Sequence, residues 1–184
     1  MPTAQVNGIS IYYETQGSGE PILIVGGLAT DLTQLQKFTG LLAEKREAVS
    51  FDSRGVGRSD KPDSPYTIEM LADDASGLLA ALGIPRADVL GVSLGGRVAL
   101  TMALQHPGQV GKLVLLSTSA RMSYRRGVFW RLSNQLLRLP HVRSVGTRYP
   151  QPYYAYVRQR DASKGFDVSG RLGEIMAPTL VLHG

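Results

Sequence analysis

Five consecutive residues, Gly91-Val92-Ser93-Leu94-Gly95, place a serine midway between two glycines. A hydrophobic run from Ala87 to Leu90 precedes them, and a segment of helical period carrying Val98, Ala99, Met102 and Ala103 follows. Strand, sharp glycine-rich turn and helix is the context in which a serine hydroxyl is presented on a strained bend. The flanking positions there must lack side chains that would collide with strand or helix, and Gly91 and Gly95 meet that demand. A helix beginning at Leu94 also turns its free N–H groups and positive end toward the reaction centre, which favours an oxyanion. The chemistry predicted is attack by Ser93 on a carbonyl; the plainer alternative is a glycine-rich turn with no chemistry.

Other chemistries find less support. The chain has no cysteine, which removes disulfides, thiolate metal sites and a thiol nucleophile together. Its three histidines, His106, His141 and His183, are too scattered for a metal-site spacing, so no metal and no cofactor are expected. Gly55-Val56-Gly57 lacks the third glycine of a dinucleotide loop, Ser59-Asp60 occupies the following positions, and no helix starts there.

The elements that must position Ser93 are legible as an alternation of short aliphatic runs and longer helical stretches, the pattern of an α/β sheet. Strands are predicted at Pro21–Val25, Ala48–Phe51, Ala87–Leu90, Lys112–Leu116 and Thr179–Leu182, all rich in branched aliphatics as strands buried on both faces should be. Ile9 to Glu14 alternates and runs into the turn signal Gln16–Glu20, which suggests an opening hairpin. The clearest helix starts at the N-cap Thr67, has Glu69 in its first turn and Ile68, Leu71, Ala75, Leu78 and Leu82 on one face, and is stopped by Gly83 and Pro85. The helix after Ser93 ends at His106-Pro107-Gly108.

From Thr118 to Gly170 the alternation breaks. A basic helix with Phe129, Leu132, Leu136 and Leu139 on one face leads into the tyrosine-rich stretch Tyr149–Tyr156. This reads as a cap insertion, dividing the chain into a core (1–117), a cap (118–170) and a return to the core (171–184) with the final strand. The chain's 184 residues, 43% hydrophobic and 19% charged, fit one globular domain. Its net charge of +5 is unevenly spread: between Thr118 and Arg171 eleven basic residues face two acids, giving +9, and the remainder sums to −4. No nucleic-acid-binding signature accompanies the basic stretch, which reads instead as a solvated face or an attractor of anionic substrates. No apolar run reaches the length of a membrane span and the first residues carry no leader, so a cytoplasmic protein with neither a nucleic-acid nor a membrane partner is expected.

Two further segments, taken with the serine motif, give the chain its resemblance to the α/β-hydrolase family. Gly26-Gly27-Leu28 follows the third strand, where the family usually has His-Gly and then a residue whose backbone N–H completes the oxyanion hole. Leu28 takes that last place, while Gly26 leaves the loop without the histidine side chain that helps hold it. Phe51–Asp60 is similar to the family's bracing loop after the fourth strand, in which Asp52 and Arg54 are expected to pair. The resemblance is tightest from Asp52 to Thr118, including Pro65-Tyr66-Thr67 and His106-Pro107, and within the family it looks most like enol-lactonases and small carboxylic ester hydrolases.

The resemblance implies a mostly parallel sheet with flanking helices and a short helical cap. It also implies an ester or lactone hydrolase working through an acyl-enzyme on Ser93, with the N–H groups of Leu28 and Leu94 as the oxyanion hole. Gly27, Trp130, Tyr153 and Tyr154 are the substrate-pocket candidates, although the cap aromatics serve equally well as the cap's own core. The cap's arginines would attract a carboxylate-bearing substrate such as an enol-lactone acid. Two other readings stand beside this one: a non-catalytic binding module or half of an assembled protein, and a perhydrolase, carbon–carbon hydrolase or acyltransferase on the same serine.

In the family the order is serine, acid, histidine, with the acid beyond the strand that here ends at Leu182. Both partners are expected to lie outside this sequence, which then reads as an amino-terminal fragment inactive alone. A serine without an imidazole is a poor nucleophile at neutral pH. His106 is about 20 Å along the helix from Ser93, His183 stands on a strand two positions away, about 10 Å, and His141 belongs to the cap. The final strand is expected to be an exposed edge, open to a complementing carboxyl-terminal segment or to self-association.

Overall fold

The computed structural model describes residues 2–122 and 147–183. Seven strands, β1 (Thr3–Val6), β2 (Ile9–Gln16), β3 (Pro21–Val25), β4 (Glu47–Phe51), β5 (Ala87–Val92), β6 (Val110–Leu116) and β7 (Thr179–Leu182), form one sheet in the order β1-β2-β4-β3-β5-β6-β7. From β4 to β7 all neighbours are parallel, and β1 and β2 extend the sheet antiparallel at the other side. The architecture is the mostly parallel α/β sheet expected from the alternation.

The opening hairpin exists, but its turn differs from expectation. β1 and β2 are joined at Asn7-Gly8, both with positive φ (47° and 77°), the backbone a tight two-residue hairpin requires. The Gln16–Glu20 segment instead carries the chain from β2 past β4 to β3, because β4 lies between them in the sheet.

Helices cover the two faces. On one, α1 (Leu32–Ala43) lays Leu35, Phe38 and Leu42 against Ile22, Ile24, Ala48 and Leu90. On the other, α2 (Ile68–Ala81) and α3 (Leu94–Gln105) pack Leu71, Ala75, Leu78, Val98 and Met102 onto Leu23, Val25, Val49, Val89 and Leu113. Alternate residues of each central strand thus enter opposite cores, which is why these strands read as unbroken aliphatic runs. The N-cap of α2 is Thr67, whose hydroxyl accepts the N–H of Met70 at 3.0 Å.

A fourth helix, α4 (Tyr153–Ala162), lies in the segment assigned to the cap. The described ends of that segment meet: Met122 donates to Phe166 O at 2.8 Å and Val168 to Ala120 O at 2.9 Å. Phe166 is buried in the same core as α2 and α3. The basic helix around Phe129–Leu139 lies outside the described residues.

β7 pairs with β6, yet all four of its residues are exposed, Leu180 to 53% and Val181 to 62%. Among the described residues nothing covers either of its faces. No helix among them is long and apolar enough to cross a membrane.

Candidate active site

In an open parallel sheet, ligands bind beyond the carboxyl ends of the strands where the strand order reverses. Here β3 is followed in space by β4 on one side and β5 on the other, so the reversal falls between β3 and β5. Val25 and Gly91 are partners in that pairing, and the segments that emerge side by side are Gly26–Leu28 and Val92–Ser93. Topology alone therefore brings together the two loops that the sequence singled out.

Ser93 sits between β5 and α3 with φ 53° and ψ −111°, well outside the regions favoured by a residue with a β-carbon. Its own N–H donates to Leu116 O at 2.9 Å, and its carbonyl accepts from Thr118 Oγ1 at 2.7 Å and Gly96 N at 3.1 Å. The bend is thus held from β6 and from the helix, and the Ser93 side chain is exposed. A β-carbon on Gly91 would lie 2.6 Å from Gly96 Cα, and one on Gly95 would lie 2.5 Å from Gly26 O. Both glycines are required for strand and helix to approach this closely.

Gly27 faces the serine: a β-carbon there would be 3.5 Å from Ser93 Cβ. The loop continues as a turn closed by Thr30 N donating to Gly27 O at 3.2 Å, with Ala29 in a left-handed conformation (φ 60°). Leu28 occupies this turn beside Ser93, half-buried. Leu94 begins α3, and the first N–H groups of a helix have no acceptor within it. Of the two residues named as oxyanion donors, Leu94 follows Ser93 directly and Leu28 follows Gly27, the residue that faces it.

Asp52 and Arg54 are buried as expected of a brace, but they do not pair with each other. Arg54 makes a two-pronged ion pair with Asp74 of α2, at 2.7 Å (Nε) and 2.8 Å (Nη2), while Asp52 accepts the N–H of Leu32 and of Arg58, each at 2.8 Å. The reason is geometric: Asp52 faces the start of α1 and Arg54 faces α2, across the sheet from it. Burial raises the Asp52 carboxyl above the usual range, against the lowering effect of those two N–H groups and the Arg58 charge.

The cap residues fall differently. Tyr154 is on the seam between cap and core, its hydroxyl donating to Lys61 O at 2.8 Å, and Tyr153 stacks with Tyr156 at a centroid distance of 6.3 Å. These contacts are packing within and beneath α4, and Trp130 lies outside the described residues. Two buried cap residues were not anticipated: Gln159, which accepts from Ala29 N and donates to Arg54 O, and Gln151, whose amide, suitably oriented, donates to Gly55 O at 2.9 Å. Neither belongs to a motif.

Asp31 was also unforeseen. It caps α1 and binds Thr147 Oγ1 and Tyr149 N from the cap. Burial raises its carboxyl, but hydrogen bonds from Thr147, Thr33, Tyr149 and Gln34 outweigh this and hold it below the usual carboxylate range.

Neither described histidine is at the serine. His106 follows the far end of α3 and binds Asp73 at 2.8 Å. His183 follows β7, two strands from β5, about 10 Å at ordinary strand spacing. His141 lies outside the described residues.

A strained serine between a parallel strand and a helix, at the switch point of such a sheet, defines a class of fold, and comparison with known proteins agrees. The family model described as alpha/beta hydrolase fold matches residues 20–171. The chain belongs to the α/β-hydrolase fold family. It is 29% identical over 209 residues to 3-oxoadipate enol-lactonase 2 of Acinetobacter baylyi, covering 99% of this chain and 78% of that one. It is 35% identical over 127 residues to RutD of Caulobacter segnis, covering 66% and 47%. Among solved structures, the enol-lactonase of Burkholderia xenovorans LB400 superposes with a TM-score of 0.81 at 27% identity, covering 100% and 81%. Est816, described as an N-acyl homoserine lactone degrading enzyme, gives 0.82 at 28%, covering 98% and 80%. The chain spans 35% to 47% of the length of several of the curated relatives it matches.

Proposed function

We propose that this chain carries the nucleophile and oxyanion hole of a hydrolase acting on a small carboxylic ester or lactone. The observation that carries the reading is Ser93 held at positive φ between β5 and α3, with Gly27 facing it across a gap that an added β-carbon would fill. On this reading Ser93 Oγ attacks the substrate carbonyl and loses its proton to a base. The oxygen, now negative, is held by the N–H groups of Leu28 and Leu94, and collapse expels the alcohol to leave an acyl-enzyme that water hydrolyses. Two relatives support the substrate class by their names, a 3-oxoadipate enol-lactonase and a lactone-degrading enzyme.

The base and its carboxylate partner are not furnished by His106 or His183, from the placements above. We assign them to a segment that packs along β7, whose exposed apolar residues lie beside β6 and on the far side of it from Ser93. A second reading, a serine site retained as a binding module without turnover, is favoured by the lack of an imidazole beside Ser93 among the described residues.

One experiment separates the two. Hydrolysis of p-nitrophenyl acetate is measured for this chain, for a form extended or complemented by the carboxyl-terminal segment of the enol-lactonase relative, and for Ser93→Ala in each. Turnover is expected in the completed form and should fall about a thousandfold or more with Ser93→Ala. Binding of the ester with no Ser93-dependent turnover in any form would establish the binding module instead.

A further inference from the structure

Gln159 has no exposed surface, yet its amide is fully engaged across an element boundary. From α4, Oε1 accepts the N–H of Ala29 at 3.1 Å and Nε2 donates to the carbonyl of Arg54 at 3.1 Å. Ala29 belongs to the loop after β3 and Arg54 to the loop after β4, so one side chain joins the cap helix to both. Ala29 is also the residue of the Gly27–Thr30 turn in the left-handed conformation, which a β-carbon disfavours. Gly26 and Gly27 have no side chains with which to hold that turn. The Ala29 N–H is therefore held from outside by Gln159, while Gly27 faces Ser93 without a side chain to anchor it, and Leu28 lies between these two residues.

We propose that Gln159 is a positioning residue for the oxyanion loop: it sets the direction of the Leu28 N–H, so that stabilisation of the transition state at Ser93 depends on the docked cap helix. The role rests on the hydrolase reading above. Docking of α4 itself does not hang on Gln159, because Gln151 binds Gly55 O, Tyr154 binds Lys61 O and Arg158 binds Asp63 independently. Loss of the Gln159 amide thus frees the loop while leaving the helix in place.

The test compares Gln159→Leu and Gln159→Glu with the parent in whichever form shows Ser93-dependent turnover. The leucine variant keeps the volume and removes both bonds; kcat should fall about 100-fold with KM nearly unchanged, since misplacing a catalytic donor acts on the transition state. The amide of Ala29, followed by NMR hydrogen exchange, should exchange at least about tenfold faster. A protonated carboxyl can accept from Ala29 and donate to Arg54 as the amide does, whereas a carboxylate can only accept. The glutamate variant should therefore regain kcat relative to the parent as pH falls through its burial-raised pKa, a response that a purely structural contact would not give. Unchanged Ala29 exchange in Gln159→Leu, or an unchanged kcat in an active protein, overturns the proposal. Should no form turn over, the hydrolase reading has failed, and the Ala29 amide still decides whether Gln159 holds the loop.

Discussion

A serine held at φ 53° costs about 1–3 kcal/mol, and the surroundings must supply it. They do so through Leu116 O, Thr118 Oγ1 and Gly96 N, which fix the Ser93 peptide groups on both sides. Asp31 plays a comparable part on the neighbouring loop, joining the start of α1 to Thr147 and Tyr149. Because hydrogen bonds hold its carboxyl below the usual range, its contribution to stability is complete above the unfolded-state pKa, about 3.9, and is lost as pH falls through the lower folded value. Asp52, raised by burial, acts in the opposite sense: its proton is bound more readily in the folded state, so its effect favours folding as pH falls. Asp31→Asn retains a good helix cap and removes the charge. It should cost about 1 kcal/mol at pH 7, and the gap between variant and parent should close below about pH 4. Denaturant unfolding at a series of pH values reads both; a gap that stays constant into acid would show that the carboxylate charge is not what Asp31 contributes.

At the level of elements, the site is a junction where α3 meets the end of β3, and Gly95 is the point of closest approach. Gly95→Ala would press a methyl group against Val25 O and Gly26 O, neither of which is a flexible side chain. The change should destabilise by about 1–3 kcal/mol and displace the Leu94 N–H, lowering the midpoint of thermal unfolding and, in whichever form shows Ser93-dependent turnover, abolishing labelling of Ser93 by a fluorophosphonate; an unchanged midpoint would mean that the helix slides freely. That junction was legible in the sequence, since glycine spacing, an aliphatic strand and a helix of apolar period each have a local signature. α2 was equally legible from Thr67, its apolar spacing and Gly83. The hairpin turn was readable too, since Asn7-Gly8 is a strong two-residue signal, but the glycine-rich Gln16–Glu20 stretch competed with it. What was not legible depends on contacts distant in sequence. Arg54 takes Asp74 rather than Asp52 because of which face of the sheet each loop meets. Gln159 reaches residue 29 across 130 positions, and no spacing rule connects a lone glutamine in a basic helix with a turn near the start of the chain.

Among the described residues the sheet is unevenly covered. α1, α2 and α3 protect the sheet from β4 to β6, whereas β7 presents Leu180, Val181 and Leu182 at 46% to 62% exposure along a free strand edge. On one face Leu100, Leu115, Ile175 and Val181 line an apolar cleft of about 330 Å³ beside that edge. An edge strand with open N–H and C=O groups and apolar faces is a template for pairing with another chain, and natural edges are normally blunted by charge, proline or a covering element. β7 has neither charge nor proline within Thr179–Leu182, and no described element covers it. The 184-residue chain should therefore self-associate at micromolar concentration, with sedimentation velocity showing mass that grows with concentration. Leu180→Lys with Val181→Lys places charge on both faces of the edge and should restore a monomer with little change in the unfolding midpoint, because both residues are already more than half exposed. A segment that pairs with β7 should suppress the association in the same way and, on the hydrolase reading, should make Ser93 reactive. A parent chain that sediments as a monomer at all concentrations and melts in one cooperative step would show that the edge is protected by residues outside those described.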